Sequence, residues 1–176
     1  DIVAAEVDSS AAAPAEAQPA GNPDEQAIQQ IEAALKAGPV TRGQVNDIIA
    51  RTHGGTLASG AVDAKQLTDL VEAAINRIIL ADPERYGIRP GAASAQDVVT
   101  RLKSLVANAP TQTTRTEEQN KMQQFSTPPF LGYVANWVAN ITSSDVVLEP
   151  SAGIGGLAVF AKSQGATVIG NELSER

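Results

Sequence analysis

Two carboxylates, Glu149 and Glu172, each close a short apolar run, and they lie 23 residues apart. Between them the chain reads DVVLEPSAGIGGLAVFAKSQGATVIGNE from Asp145, with Gly153, Gly155 and Gly156 in a turn ahead of helix-forming residues. Val146, Val147 and Leu148, then Val168 and Ile169, read as short strands buried on both faces. A helix between two such strands predicts a right-handed βαβ crossover in a parallel sheet. Glycines just past the first strand let backbone N–H groups approach a ligand, and the following helix turns its positive N-terminal end to the same spot. The chemistry such a crevice suits is the holding of a small nucleotide-like molecule.

Three readings compete for that turn. A dinucleotide fold that seats a pyrophosphate expects a glycine almost directly after the strand and a G-x-G-x-x-G run. Here Leu148 is followed by Glu149-Pro150-Ser151-Ala152, no third glycine stands at the right offset, and Glu149 would bring negative charge beside the phosphates. S-adenosylmethionine has no phosphate and carries an ammonium and a sulfonium. For that ligand, Glu149 would attract the positive methionine end directly or through water, and Glu172 would accept hydrogen bonds from both ribose hydroxyls. The third reading is non-enzymatic: a structural or interaction module, as in a phage virion or helicase-associated protein, in which the glycine turn is a fold relic.

The segment Glu149-Pro150-Ser151-Ala152-Gly153-Ile154-Gly155-Gly156-Leu157 resembles motif I of S-adenosylmethionine-dependent methyltransferases, especially the DNA enzymes that modify adenine at N6. Phe125-Ser126-Thr127-Pro128-Pro129 is similar to the motif these enzymes place just before the first strand, and Asn171-Glu172-Leu173 resembles their motif II. The resemblance covers Gln124 to Arg176, about a third of the chain. It implies a cofactor pocket formed by Phe125, Thr127, Pro128, Glu149, Pro150, Ala152, Gly153, Gly155, Glu172 and Leu173. In it, Thr127 and nearby backbone would touch the methionine carboxylate, Gly153 and Gly155 would allow close approach, Glu172 would hold the ribose and Leu173 would pack on adenine. The same order of segments is similar to large phage and plasmid proteins that fuse a methyltransferase-like domain to a strawberry-notch-type helicase. DNA as a partner, and a cytoplasmic or virion location, are implied by resemblance alone.

The departures from the family matter as much. Its Asn/Asp-Pro-Pro-Tyr/Phe loop, which receives the target amino group and stacks on a flipped base, has no counterpart after Glu172. Pro128-Pro129 is no substitute, since it precedes the first strand and is followed by Phe130-Leu131 at a helix start. The expectation is therefore the opening part of a longer protein: no catalytic residue in this chain, half a cofactor pocket with weak affinity, and no methyl transfer by the chain alone. Two strands also leave an apolar sheet edge bare, through which copies could associate.

The elements that must position these residues come earlier in the chain. Residues 1–21 are Ala/Pro-rich and hold Asp1, Glu6, Asp8 and Glu16 with no Lys or Arg, the pattern of a disordered acidic tail. Residues 22–110 predict a four-helix module. Asn22 and Pro23 open the first helix, which carries Ile28, Ile31 and Leu35 and stops at Gly38-Pro39. Thr41 opens the second, which ends at His53 before Gly54-Gly55. Asp63 caps a third, with a broad stripe from Leu67 to Ile79, that runs to about Ala81. After Asp82-Pro83 and a turn-rich connection, Ser94 with Asp97 caps a fourth bearing Val98, Val99, Leu102, Leu105 and Val106, which Pro110 closes. Residues 111–124 read as a linker. A further helix then places Phe130, Val134, Trp137, Val138 and Ile141 on one face, expected to cover the sheet, and residues 125–176 form the start of an α/β Rossmann-like domain.

Bulk composition removes several classes of function. The 176 residues carry a net charge of −7, with 13 Lys plus Arg against 20 Asp plus Glu, so no global charge favours nucleic acid. The absence of cysteine excludes disulfides and thiolate metal sites. The single histidine, His53, falls in the last turn of a helix, where a cation suits the helix dipole; histidine-centred triads and His-rich metal sites lack their parts. No apolar run approaches the roughly 20 residues a membrane span needs. No basic stretch followed by an apolar core marks a signal peptide at the N-terminus.

Overall fold

A computed structural model describes residues 21–89, 91, 93–111 and 126–173. Phe125, all but Gly21 of the Ala/Pro-rich segment, and all but Thr111 of the 111–124 linker lie outside the described residues. The chain runs through α1 (Pro23–Ala37), α2 (Arg42–His53), α3 (Ala64–Ala81), α4 (Pro83–Tyr86), α5 (Ala95–Ala107), α6 (Pro129–Val138), β1 (Val146–Glu149), α7 (Ala158–Ser163) and β2 (Thr167–Gly170).

Helices α1 to α5 begin where side chains satisfy first-turn N–H groups that have no intrahelical partner. Asn22 accepts from the Asp24 amide and Asp63 from the Gln66 amide, while Thr41 with Gln44 and Ser94 with Asp97 form reciprocal capping boxes. Gly54 ends α2 in the left-handed region, φ 69°. The turn-rich connection after Ala81 contains a one-turn helix, α4. Asp82, which ends α3, also caps α4 through the Arg85 amide, and Pro83 opens α4 with no N–H to satisfy.

The long stripe of α3 forms the centre of the core: Leu67, Leu70, Val71, Ala74, Ile75, Ile78 and Ile79 are all buried. Each large side chain among them contributes roughly 1.5–3 kcal/mol from removal of apolar surface from water. Ala27, Ile31 and Leu35 meet it from α1, and Arg77 on α3 pairs with Glu25 on α1 at 2.6 Å. His53 ends α2 as expected, but its ring also reaches across to α1, with Nε2 2.8 Å from Asp24 Oδ1 and Nδ1 2.8 Å from Thr52 Oγ1.

The buried cluster does not stop at the fourth long helix. Tyr133, Ile141, Val159, Phe160, Ala161 and Ala166 join the residues of α1 to α5 in one continuous core. Here α6 corrects the expected stripe. Its buried residues are Gly132, Tyr133 and Asn136, whereas Val134, Trp137 and Val138 face outward, Trp137 at 50% and Val138 at 69% exposure. The cause is close approach. A Cβ on Gly132 would lie 3.0 Å from the Gly156 carbonyl oxygen and 3.2 Å from the Phe160 ring, so a bare glycine lets α6 settle against the segment that follows β1. Asn136 secures the contact by donating from Nδ2 to the Leu157 carbonyl at 3.0 Å, and the Tyr133 and Phe160 rings meet edge to face.

The sheet among the described residues has two parallel strands in register from Val146 with Thr167 to Glu149 with Gly170, joined through α7. It departs from the expectation of strands buried on both faces. Val147 and Val168 pack on the core, while Val146, Leu148 and Ile169 stand 67%, 67% and 54% exposed on the other face. Among the described residues, no helix is long and apolar enough to cross a membrane.

Candidate functional site

The loop between β1 and α7 is sewn to the end of β2. Asn171 donates its backbone N–H to the Glu149 carbonyl, its carbonyl accepts from the Ala152 amide, and its side-chain Nδ2 donates to the Pro150 carbonyl, at 2.8, 2.8 and 3.1 Å. The strand ladder thus continues past both strand tips and fixes where the glycine turn begins. Gly153 and Gly155 adopt φ of 51° and 85°, a region that strains any L side chain, and nothing lies within 4 Å of where their Cβ atoms would be. The requirement for glycine there is conformational, and the space beside the turn is open. Gly155 closes the turn itself by donating to the Ala152 carbonyl at 2.7 Å. The helix that follows is short, beginning only at Ala158.

The two acids that frame this unit have different roles. Glu172 Oε2 accepts from the Gly153 amide at 2.6 Å, which brings the β2 tip and the glycine turn into direct contact. Glu149 folds back on its own loop, Oε1 accepting from the Ser151 amide at 3.2 Å.

A cavity of about 600 Å³ opens beside the turn, within the range of small-molecule sites, roughly 300–1,000 Å³. Of the residues expected to hold a cofactor, Thr127, Pro128, Pro150, Ala152, Gly153, Glu172 and Leu173 line it; Glu149 and Gly155 do not. Phe125 is outside the described residues.

The opposing wall comes from the helical part of the chain, which sequence reasoning did not connect with the site. Lys65, Thr68, Asp69, Glu72 and Asn76 of α3 line the cavity, together with Arg42 of α2 and the end of α5. Asn76, only 9% exposed, donates from Nδ2 to the Ile154 carbonyl within the glycine turn at 3.0 Å. One helical turn earlier, Glu72 Oε2 accepts from Ser126 Oγ at 2.6 Å and so ties α3 to the segment ahead of α6. Burial raises the Glu72 carboxyl above its ordinary value; the Ser126 hydrogen bond opposes this, Asp69 adds to it and Lys65 counters it. Lys65 itself pairs with Asp69 at 2.6 Å. The signal was present: Glu72 and Asn76 are polar residues four apart, each following a buried apolar residue of the α3 stripe, so both lie beside the core.

This donor set has a clear sense. A pyrophosphate at the turn would meet the Glu172 carboxylate already seated on the Gly153 amide, and it would be repelled. Hydroxyl donors and cationic groups suit a cavity with carboxylates at Glu72 and Glu172. S-adenosylmethionine, with ribose hydroxyls, an ammonium and a sulfonium, fits these groups. Among the described residues, no group of three or more His, Asp or Glu side chains could hold a metal ion. Compared with protein families, with curated proteins and with solved structures, the chain finds no match.

Proposed function

We propose that the chain is a cofactor-binding portion of an S-adenosylmethionine-dependent methyltransferase whose target is an adenine amino group in DNA. The observation that carries the cofactor reading is the meeting of Glu172 with the Gly153 amide in the wall of a cavity also lined by Thr127 and Pro128. A carboxylate in that place accepts from a ribose and rejects a phosphate. DNA and the adenine target are carried by the resemblance of the three motifs.

When bound, the cofactor supplies an electrophilic methyl group on sulfur. The residues of this chain bind and orient it. Gly153 keeps the near side of the cavity free of a side chain, Glu172 turns from the Gly153 amide to the ribose hydroxyls, and Leu173, 81% exposed beside it, offers an apolar surface to the adenine. Such positioning, rather than covalent chemistry, is what methyl transfer to an amine asks of a protein. The groups that would receive the target amine are absent from this sequence, so the proposed role of the chain is binding.

Calorimetric titration of the chain with S-adenosylmethionine and with S-adenosylhomocysteine tests the reading. Saturable binding that weakens at least tenfold in Glu172→Ala is expected. A flat titration of the unaltered chain would remove the cofactor reading. It would leave the interaction-module alternative, which the outward-facing Trp137, Val138, Leu148 and Ile169 favour.

A further inference from the structure

Three acids reach the cavity, and their partners differ. Asp69 is paired with Lys65 at 2.6 Å. Glu172 holds the Gly153 amide. Glu72 has one neutral partner, the Ser126 hydroxyl on Oε2, and forms no ion pair among the described residues. Lys65 acts on Glu72 electrostatically but is paired with Asp69, so the half-buried Glu72 carboxylate has no ion pair of its own among the described residues, and the cost of burying it falls when a cation arrives. Glu149, the acid that sequence reasoning assigned to the positive end of the ligand, turns to the Ser151 amide and does not line the cavity.

We propose that Glu72, from α3 of the helical part, is the carboxylate that receives the ammonium group of the cofactor's amino-acid end, so that the helical part completes the binding site. The inference rests on the S-adenosylmethionine reading and adds a residue and an element to it. A ligand that places its ribose on Glu172 has the ammonium of its zwitterionic amino-acid end left to pair, and Glu72 is a cavity acid that forms no ion pair of its own among the described residues. Two contacts hold α3 for this task. Asn76 fixes the helix to the glycine turn through the Ile154 carbonyl, and Ser126 orients the Glu72 carboxylate from the neighbouring wall. Glu72 thereby becomes a selectivity device: it distinguishes ligands with an amino group from those that carry adenosine alone.

The test compares S-adenosylhomocysteine with 5′-methylthioadenosine: both carry adenosine and an uncharged thioether, and only the first has the amino-acid end. Binding of both to the full chain, to Glu72→Gln and to Glu72→Asp is measured by calorimetry. Glu72→Gln is expected to weaken S-adenosylhomocysteine about tenfold and leave 5′-methylthioadenosine unchanged, which also reports that the variant is folded. Glu72→Asp, keeping the charge on a shorter stem, is expected to recover part of the difference. Equal weakening of both ligands, or no change for S-adenosylhomocysteine, overturns the assignment of Glu72 while the cofactor reading stands. If the unaltered chain binds neither ligand, both fall together.

Discussion

The side-chain amide of Asn76 donates to the backbone carbonyl of Ile154, 78 residues further along the chain, at 3.0 Å. A buried side chain in the middle of α3 thus holds the tip of the glycine turn. Replacement of Asn76 by Leu keeps the volume roughly similar and removes the donor. The unpaired carbonyl is expected to cost about 1–3 kcal/mol in urea unfolding. The Gly153 and Gly155 amides should also exchange faster with solvent. Unchanged stability together with unchanged exchange would show that the bond contributes nothing.

The pH dependence of stability should carry the mark of Glu72. Its carboxyl is raised above the ordinary 4.5, first by burial and against the Ser126 hydrogen bond, with Asp69 adding and Lys65 opposing. The folded form therefore keeps the proton longer than the unfolded one. No penalty is felt below the unfolded value, and a penalty grows as pH rises through the folded value. Glu72→Gln should melt close to the unaltered chain at about pH 4 and above it at about pH 7. A variant less stable at both would contradict the sign. A gain in stability paired with loss of S-adenosylmethionine is the pattern expected of a group kept for binding.

Tyr133 is 1% exposed, and its hydroxyl has no hydrogen-bond partner among the described residues. Its ring packs edge to face on Phe160, a contact that needs no hydroxyl. Tyr133→Phe should raise stability by about 1 kcal/mol, because a buried donor without a partner bears its full desolvation cost. Chemical unfolding of the two proteins decides the matter, and a loss on substitution would reveal a partner.

The open face of the sheet predicts self-association. Val146, Leu148 and Ile169 present contiguous apolar surface, and a two-stranded sheet keeps pairing groups on its outer edges. Sedimentation velocity should show a weight-average mass that rises with protein concentration. Leu148→Lys, which places a charge on the face and leaves the Val147 side intact, should suppress the rise. A chain that remains monomeric at all concentrations would argue against a role for this face.

The sequence made the helix starts legible because a cap is a local event. Asn22, Thr41, Asp63 and Ser94 each bond to an amide two or three residues away, and no distant contact is needed to establish it. The strand, turn and strand after Asp145 were legible for the same reason. What escaped was nonlocal. The orientation of α6 depends on Gly132 meeting Phe160 and on Asn136 reaching Leu157, and the period of its apolar residues could not reveal this because apolar side chains surround the helix. Half of the cavity wall escaped likewise, since Glu72 and Asn76 gain their meaning only from Ser126 and Ile154, more than fifty residues away.

The continuous core from Ile31 through Ile75 to Phe160 has a consequence for how the chain could be divided. A cut within residues 112–125 would leave each fragment with one side of a seam that the other side was shaped to fill. In the intact chain that seam closes at the high effective concentration of a tethered pair, so it can be held by contacts too few to join two free proteins. Separately produced halves would therefore behave as a complementation pair, and the cavity would exist only while they are together.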